Sequence, residues 1–220
     1  MTVELGKTEE RTNTQFAPLA ALIAYFDAQN VFKPLQSVAS TAEKGDNGLG
    51  NKLYQVLVSM MCGCTYISNV NTRLRPERTF AQVNRIDEFA EQSTLAIALN
   101  GLSQMNIEQL RLAVRQIRYR CSHTKQHDWR GLLMFDFDLS GLPCGKGAKG
   151  AQKGYFAGKK NSFGRQLARV SAISYQETLW SDLFPGNYLT MQCLQPAVLG
   201  VESSFDLAPE TRKHVLWRLD

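Results

Sequence analysis

Two carboxylates two residues apart, inside an otherwise apolar run, are the sharpest chemical feature of this sequence. The run Leu132 to Leu139 (LLMFDFDL) alternates, with Leu133, Phe135, Phe137 and Leu139 on one side and Met134, Asp136, Asp138 and Ser140 on the other. A strand with that pattern projects both carboxylates to one face about 7 Å apart. On a covered face they demand a cation or basic partners to offset desolvation. An edge strand with a wet face is the bland alternative, but the apolar stretch Leu132 to Phe135 points to a central strand. Clustered carboxylates without histidine or thiolate ligands suit hard, oxygen-seeking Mg²⁺ or Mn²⁺. Two such ions activate a nucleophile and stabilise the leaving oxygen in phosphodiester chemistry. Asp220 ends a further strand-like run, His214 to Leu219 (HVLWRL); if that run lies beside the first, its carboxylate joins Asp138.

Charge points to a polyanion. The net charge is +5, yet Arg111 to Arg165 holds twelve Lys/Arg against three Asp/Glu, leaving the remainder acidic. Gly145 to Arg165 (GKGAKGAQKGYFAGKKNSFGR) contains Lys146, Lys149, Lys153, Lys159, Lys160 and Arg165 with no acid. Its glycines permit close backbone approach to phosphates, and Tyr155, Phe156 and Phe163 offer surfaces for base stacking. The tract is not a Walker loop, since Gly-x4-Gly-Lys-[Ser/Thr] is absent; a solvated hairpin is the plain alternative. Arg111, Arg115 and Arg118 form a second basic stripe at helical spacing, read as phosphate-facing or as a solvated face.

Other reactive residues read as structural. Cys62, Cys64, Cys121, Cys144 and Cys193 are an odd number, spread widely, and are expected to be reduced thiols. Cys62-Gly63-Cys64 is too tight for a zinc ribbon, and Cys121, His123 and His127 lack a fourth ligand. The opening residues carry early acids and no apolar core, and no apolar run approaches about 20 residues. The expected compartment is the cytoplasm, with no membrane partner.

The elements that must position these residues fall into two parts: a helical region over 1–128, expected to bind DNA, and a strand-containing region over 129–220. Leu19, Leu22, Ile23 and Phe26 predict one amphipathic helix, ended by Lys33-Pro34. Leu53, Val56, Leu57, Met60, Met61 and Cys64 predict a second after the turn-rich 42–51. Phe80 to Glu91, then a helix capped by Ser93-Thr94, could form a helix-turn-helix. Ile107 to Arg120 predicts a further helix with Ile107, Leu110, Val114 and Ile117 on its apolar stripe. Beyond Trp129, strands are expected at 132–139, 167–175 and 177–184, a helix over 188–207 despite Pro196, and a strand at 214–219.

Several segments together resemble one family. They are Phe135-Asp136-Phe137-Asp138-Leu139-Ser140-Gly141-Leu142-Pro143, Gly154-Tyr155-Phe156, Gly164-Arg165-Gln166-Leu167, Tyr175-x-Glu177-Thr178, Pro185-Gly186-Asn187 and Val215-Leu216-Trp217-Arg218-Leu219-Asp220. In order and spacing they resemble DDE transposases of bacterial insertion sequences, over residues 130–220; Phe89 to Ile107 is similar to the helical region before that domain. The resemblance implies an α+β chain whose second part is the first half of a ribonuclease H-like domain: three strands, a helix, then a strand. It implies Asp138, in Asp138-Leu139-Ser140, as first catalytic acid and metal ligand, with Asp136 the other claimant, and Asp220 as the second. It implies Mg²⁺ or Mn²⁺ in the intact enzyme, transposon-end DNA as partner, and a homodimer of the full-length protein. The family's third acid is a downstream Glu, often in Tyr-x2-Arg-x3-Glu, and no tyrosine here has Arg at +3. Glu177 and Glu202 lie too early to replace it. The expectation is therefore an N-terminal portion, catalytically incomplete by itself.

Two other readings compete. One is a non-catalytic DNA-binding protein or transposition inhibitor. The other is a haloacid-dehalogenase-like phosphatase, with Asp136 as nucleophile and Asp138 as general acid/base. That fold needs a later Lys and acidic pair after alternating helices and strands, and no Asp-Asp follows.

Overall fold

A computed structural model describes residues 14–38, 48–156 and 158–219. The chain divides into two compact units, one up to Arg120 and the other from Cys121. The first is helical: α1 (Ala17–Ala28), α2 (Lys33–Gln36), α3 (Leu49–Met61), α4 (Asn69–Arg73), α5 (Arg78–Val83), α6 (Gln92–Asn100) and α7 (Gln104–Cys121). The second holds β1 (Leu133–Pro143), β2 (Gln152–Phe156), β3 (Lys159–Ala172), β4 (Glu177–Pro185), α8 (Thr190–Phe205), α9 (Pro209–Arg212) and β5 (Val215–Leu219). The architecture is α+β, with a mixed, open five-stranded sheet.

In the helical unit Phe80 is fully buried between Phe16 and Phe89, at ring distances of 5.2 and 5.8 Å. Ile23, Val58, Val70, Leu74 and Leu95 complete that cluster. Leu22 and Met60, expected on the buried stripes of α1 and α3, are instead 44% and 64% exposed, because Ile23 and Val58 take the central positions. Lys33-Pro34 does not end α1, which stops at Ala28 with Asn30 at a left-handed φ of 54°; the pair instead opens α2, where the missing N–H of Pro34 costs nothing. The helix expected over 80–91 stops at Val83. Asn84 turns its amide back to the Phe80 carbonyl at 2.7 Å, and Arg85 takes a left-handed φ of 56°. Helix α6 begins at Gln92 without a cap from Ser93 or Thr94. The Gln92 N–H is instead satisfied by Asn71 of α4, at 2.9 Å.

Helix α7 starts three residues before its expected beginning, since Ser103 and Asn106 cap it reciprocally. The Asn106 N–H donates to Ser103 Oγ, and the Ser103 N–H donates to Asn106 Oδ1. The buried face of α7 runs through Asn106 and Ala113 with Leu110 and Ile117 beside them, and Val114 is half exposed.

In the second unit the alternation of β1 reads directly into burial. Leu133, Phe135 and Phe137 are buried, and between them Met134, Asp136 and Asp138 reach solvent. The buried set packs on Cys193, Ala197 and Val201 of α8, together with Ala168, Val170 and Leu179. Strand β1 is central: β3 pairs with it antiparallel, from Phe135↔Ala172 to Pro143↔Gly164, and β5 pairs parallel, from Leu133↔Val215 to Phe137↔Leu219. On its other edge β3 carries β4 along 165–172 and β2 along 159–164. Three strands before the helix were expected; there are four, because the lysine- and glycine-rich tract folds into the β2–β3 hairpin. Strand β1 also runs on to Pro143, and β3 stops at Ala172 before a 3-10 turn at Ile173–Tyr175. Pro196 sits inside α8 without ending it.

Two close approaches fix this sheet. Phe156, 1% exposed, lies across Gly141, Gly154 and Gly164, where a Cβ would meet its ring at 2.8–2.9 Å. At the β4 end, a Cβ on Gly186 would fall 2.2 Å from the Gly164 carbonyl oxygen and 2.7 Å from that of Gln152. Only glycine lets these backbones meet.

Candidate functional site: the carboxylate face and the basic hairpin

Cross-strand partners share a face, so the sheet face opposite α8 follows from the register. On β1 it presents Met134, Asp136, Asp138 and Ser140; on β3 Ser171, Arg169, Leu167 and Arg165; on β5 Leu216 and Arg218. Each carboxylate has a basic partner one strand away. Asp136 Oδ1 accepts from Arg218 Nε at 2.6 Å. Asp138 Oδ2 accepts from Arg169 at 3.2 Å and from the Ser140 hydroxyl at 2.8 Å. The Asp138 side chain is 39% exposed and that of Asp136 20%, so Asp138 is the more accessible to a ligand from solvent.

The demand for a cation or basic partners is thus met by Arg169 and Arg218, neither of which composition or spacing singled out. They lie 31 and 82 residues from their carboxylates. Only the strand register reveals them, although Arg218 two residues before Asp220 was available as a cue.

Asp220 lies outside the described residues. The described part of β5 ends with Leu219 opposite Phe137, the residue before Asp138. Carboxylate and hydroxyl oxygens are the donor type a hard divalent cation takes. Among the described residues, however, no three His, Cys, Asp or Glu side chains group closely enough to hold a metal ion. Asp136 and Asp138 are balanced by guanidinium groups instead.

Lys146, Lys149, Lys153 and Lys160 are all exposed, and Lys159 opens β3. Lys153 stands over the Phe163 ring, its nitrogen 5.9 Å from the centroid. Arg165 is half-buried, and its Nε–H has no hydrogen-bond partner among the described residues. Of the three candidate stacking rings, Phe156 is a core residue and inaccessible to a base; Tyr155 is 64% exposed and Phe163 half-buried.

On α7, Arg111 and Arg115 are exposed and Arg118 partly so. Glu108, one turn before Arg111 on this stripe, pairs with it at 3.4 Å. The tight pairing of two helices expected around residue 92 is absent, since eight residues separate α5 from α6. A three-residue link, Gly101-Leu102-Ser103, instead joins α6 to α7.

Glu177 has a structural role. Its carboxylate accepts from the Ser122 and Thr124 hydroxyls, both at 2.7 Å, and from the His123 and Thr124 N–H groups. Burial pushes its pKa up, but these hydrogen bonds outweigh burial and hold it below the ordinary carboxylate range. The cysteines form no disulfide. Burial, reinforced by neighbouring Cys64, pushes the Cys62 thiol up to about 12, and burial raises Cys193 as well. Thiols so shifted are poor nucleophiles and poor metal ligands. No described helix is long and apolar enough to cross a membrane. The chain matches no family model, no curated protein and no solved structure.

Proposed function

We propose that this chain is the DNA-binding and first catalytic portion of a DDE-type transposase, with its sheet a ribonuclease H-like half-domain. The observation that carries the reading is the sheet order. An acid-bearing central strand is followed by two antiparallel strands on one side (setting β2 aside), a helix, and a parallel return strand on the other. That return strand pairs as far as Phe137↔Leu219, which supports Asp138 and Asp220 as neighbouring carboxylates. In this reading Asp138 and Asp220 hold Mg²⁺ or Mn²⁺, whose role when bound is to activate a hydroxyl nucleophile and stabilise the leaving oxygen of a DNA phosphodiester. Ser140 orients Asp138, and Arg169 and Arg218 hold the carboxylates apart and charge-balanced. The basic hairpin and the α7 arginines contact phosphates of the transposon end. A third carboxylate from outside this face is needed for full activity, and the cytoplasm is the compartment we assign.

The test is DNA binding as a function of salt. Six or more neutralised phosphates predict a loss of about 10³-fold or more in affinity between about 50 and 200 mM salt. Binding that is absent or insensitive to salt overturns the reading. Metal titration followed by Mn²⁺ spin resonance, comparing the native chain with Asp138→Asn, then separates a catalytic from a purely binding role.

The second reading, a DNA-binding protein without catalysis, is favoured by the arginine pairing of both carboxylates. A phosphatase of the haloacid-dehalogenase type is disfavoured by the antiparallel β1–β3–β4 order, where that fold needs alternating strands and helices. Absence of Mg²⁺-dependent hydrolysis of an aryl phosphate, in the native chain as in Asp136→Asn, is the expected result.

A further inference from the structure

Strand β3 extends the carboxylate face well past Asp138. From Arg169, the cross-strand partner of Asp138, the same side of β3 presents Leu167, Arg165 and Phe163. Strand β2 lies beside its far end, where Lys153 faces Phe163. Phe156 is buried on the core side, and the β2–β3 register shifts between Gly154 and Phe156, which leaves Tyr155 between them 64% exposed beside Lys153. Six residues of strand separate Arg169 from Phe163, a span of about 20 Å. That equals about six nucleotides of a stacked strand at roughly 3.4 Å each.

We propose that this strip is a binding site for an unpaired DNA strand, in which Arg165 and Lys153 hold phosphates and the Tyr155 ring stacks on a base. The proposal rests on the DNA-processing reading above and deepens it. Four observations carry it together. Residues 145–165 hold six basic side chains and no acid. Arg165 is half-buried on this face and its Nε–H has no hydrogen-bond partner among the described residues, so no protein acceptor is seen holding that donor while the solvent-reaching part of the guanidinium meets a phosphate. Lys153 stands over the Phe163 ring, its nitrogen 5.9 Å from the centroid, which keeps its ammonium beside the strip. Tyr155 exposes an amphipathic ring at an irregular step of β2 whose flanking residues Gly154 and Phe156 are both paired with β3, so its backbone is held when a base stacks on it. An aromatic platform needs a base with an open face, which an unpaired strand offers and a continuous duplex does not. Tyr155 lies two residues beyond Lys153 on β2, so the stacked base would lie about eight nucleotides from the phosphodiester facing Asp138.

The experiment compares a fluorescein-labelled 20-nucleotide single strand with its blunt duplex, by anisotropy at low salt, on the full chain. The proteins are native, Tyr155→Ala, Tyr155→Phe and Arg165→Gln. Tyr155→Ala is expected to weaken single-strand binding about 10-fold or more and leave duplex binding within about 2-fold, whereas Tyr155→Phe retains both. Single strands bearing 2-aminopurine at successive positions report stacking as quenching, which Tyr155→Ala should abolish and Arg165→Gln should weaken. An equal loss on both DNAs, or no loss with Tyr155→Ala, overturns this inference and leaves the function standing. No binding of either DNA by the native chain overturns both. Unchanged far-ultraviolet circular dichroism and Tm in Tyr155→Ala show that the strip, not the fold, was tested.

Discussion

Asp136 and Asp138 differ in exposure and in partner although one residue separates them, and the difference has measurable consequences. The Asp138–Arg169 pair is exposed on both sides, and such a pair contributes about 0–1 kcal/mol. Asp136 is the less exposed, and its hydrogen bond to Arg218 is the shorter. Asp136→Asn should therefore cost more stability than Asp138→Asn, on the order of 1–2 kcal/mol against a few tenths. Urea denaturation at pH 7 decides this, and the reverse order would show that Arg169 is the stronger anchor. Glu177 gives a prediction in pH. Its pKa is lowered in the folded state, so the unfolded chain binds the proton more readily. Its stabilisation is complete above about pH 5 and fades as pH falls through the folded-state value. Glu177→Gln should cost about 2 kcal/mol at pH 7 and progressively less below pH 4. A gap between the two proteins that stays constant from pH 7 to pH 3 would refute the assignment.

At the scale of elements, the tightest constraint is the crossing at Gly186. A methyl group there meets two backbone carbonyls, from Gly164 and Gln152, and neither can rotate away. Gly186→Ala should destabilise the sheet unit by about 3 kcal/mol and loosen β2 from β3, seen as faster amide exchange at Gly154 and Ser162. This gives Pro185-Gly186-Asn187 a role beyond ending β4. It also shows what could be read from the sequence. Strand β1 was legible because its inward and outward residues differ in polarity, and its central position followed from the apolar flank. Strand β2 was not legible, since Gln152-Lys153-Gly154-Tyr155-Phe156 lacks a clean alternation and forms through pairing with β3 and burial of Phe156. The end of α5 and the start of α6 were missed for a similar reason, as Asn71 caps α6 from another helix. The carboxylates of the candidate site were visible; their arginine partners were not, because register rather than spacing brings them together.

For the whole molecule, the location of charge matters more than its sum. A net +5 spread evenly would bind a polyanion weakly everywhere, but the charge is gathered between Arg111 and Arg165, against an acidic remainder. Each phosphate that the protein no longer neutralises should reduce the slope of log affinity against log salt by about 0.9. Replacing Lys153 and Lys160 by Gln should therefore flatten that slope by about 1.8. Replacing Lys33 and Arg78, on the helical unit, removes the same two charges from positions the proposed interface does not use. If binding were a response to net charge, the two double variants would weaken it alike. If it is local, the second pair should leave the slope within about 0.3 of the native value, while the first shifts it at every salt concentration. Titrations from about 50 to 300 mM salt on one duplex separate these outcomes. Equal slopes in the two variants would remove the hairpin as the DNA-facing element and leave the α7 arginines as the basic surface to test.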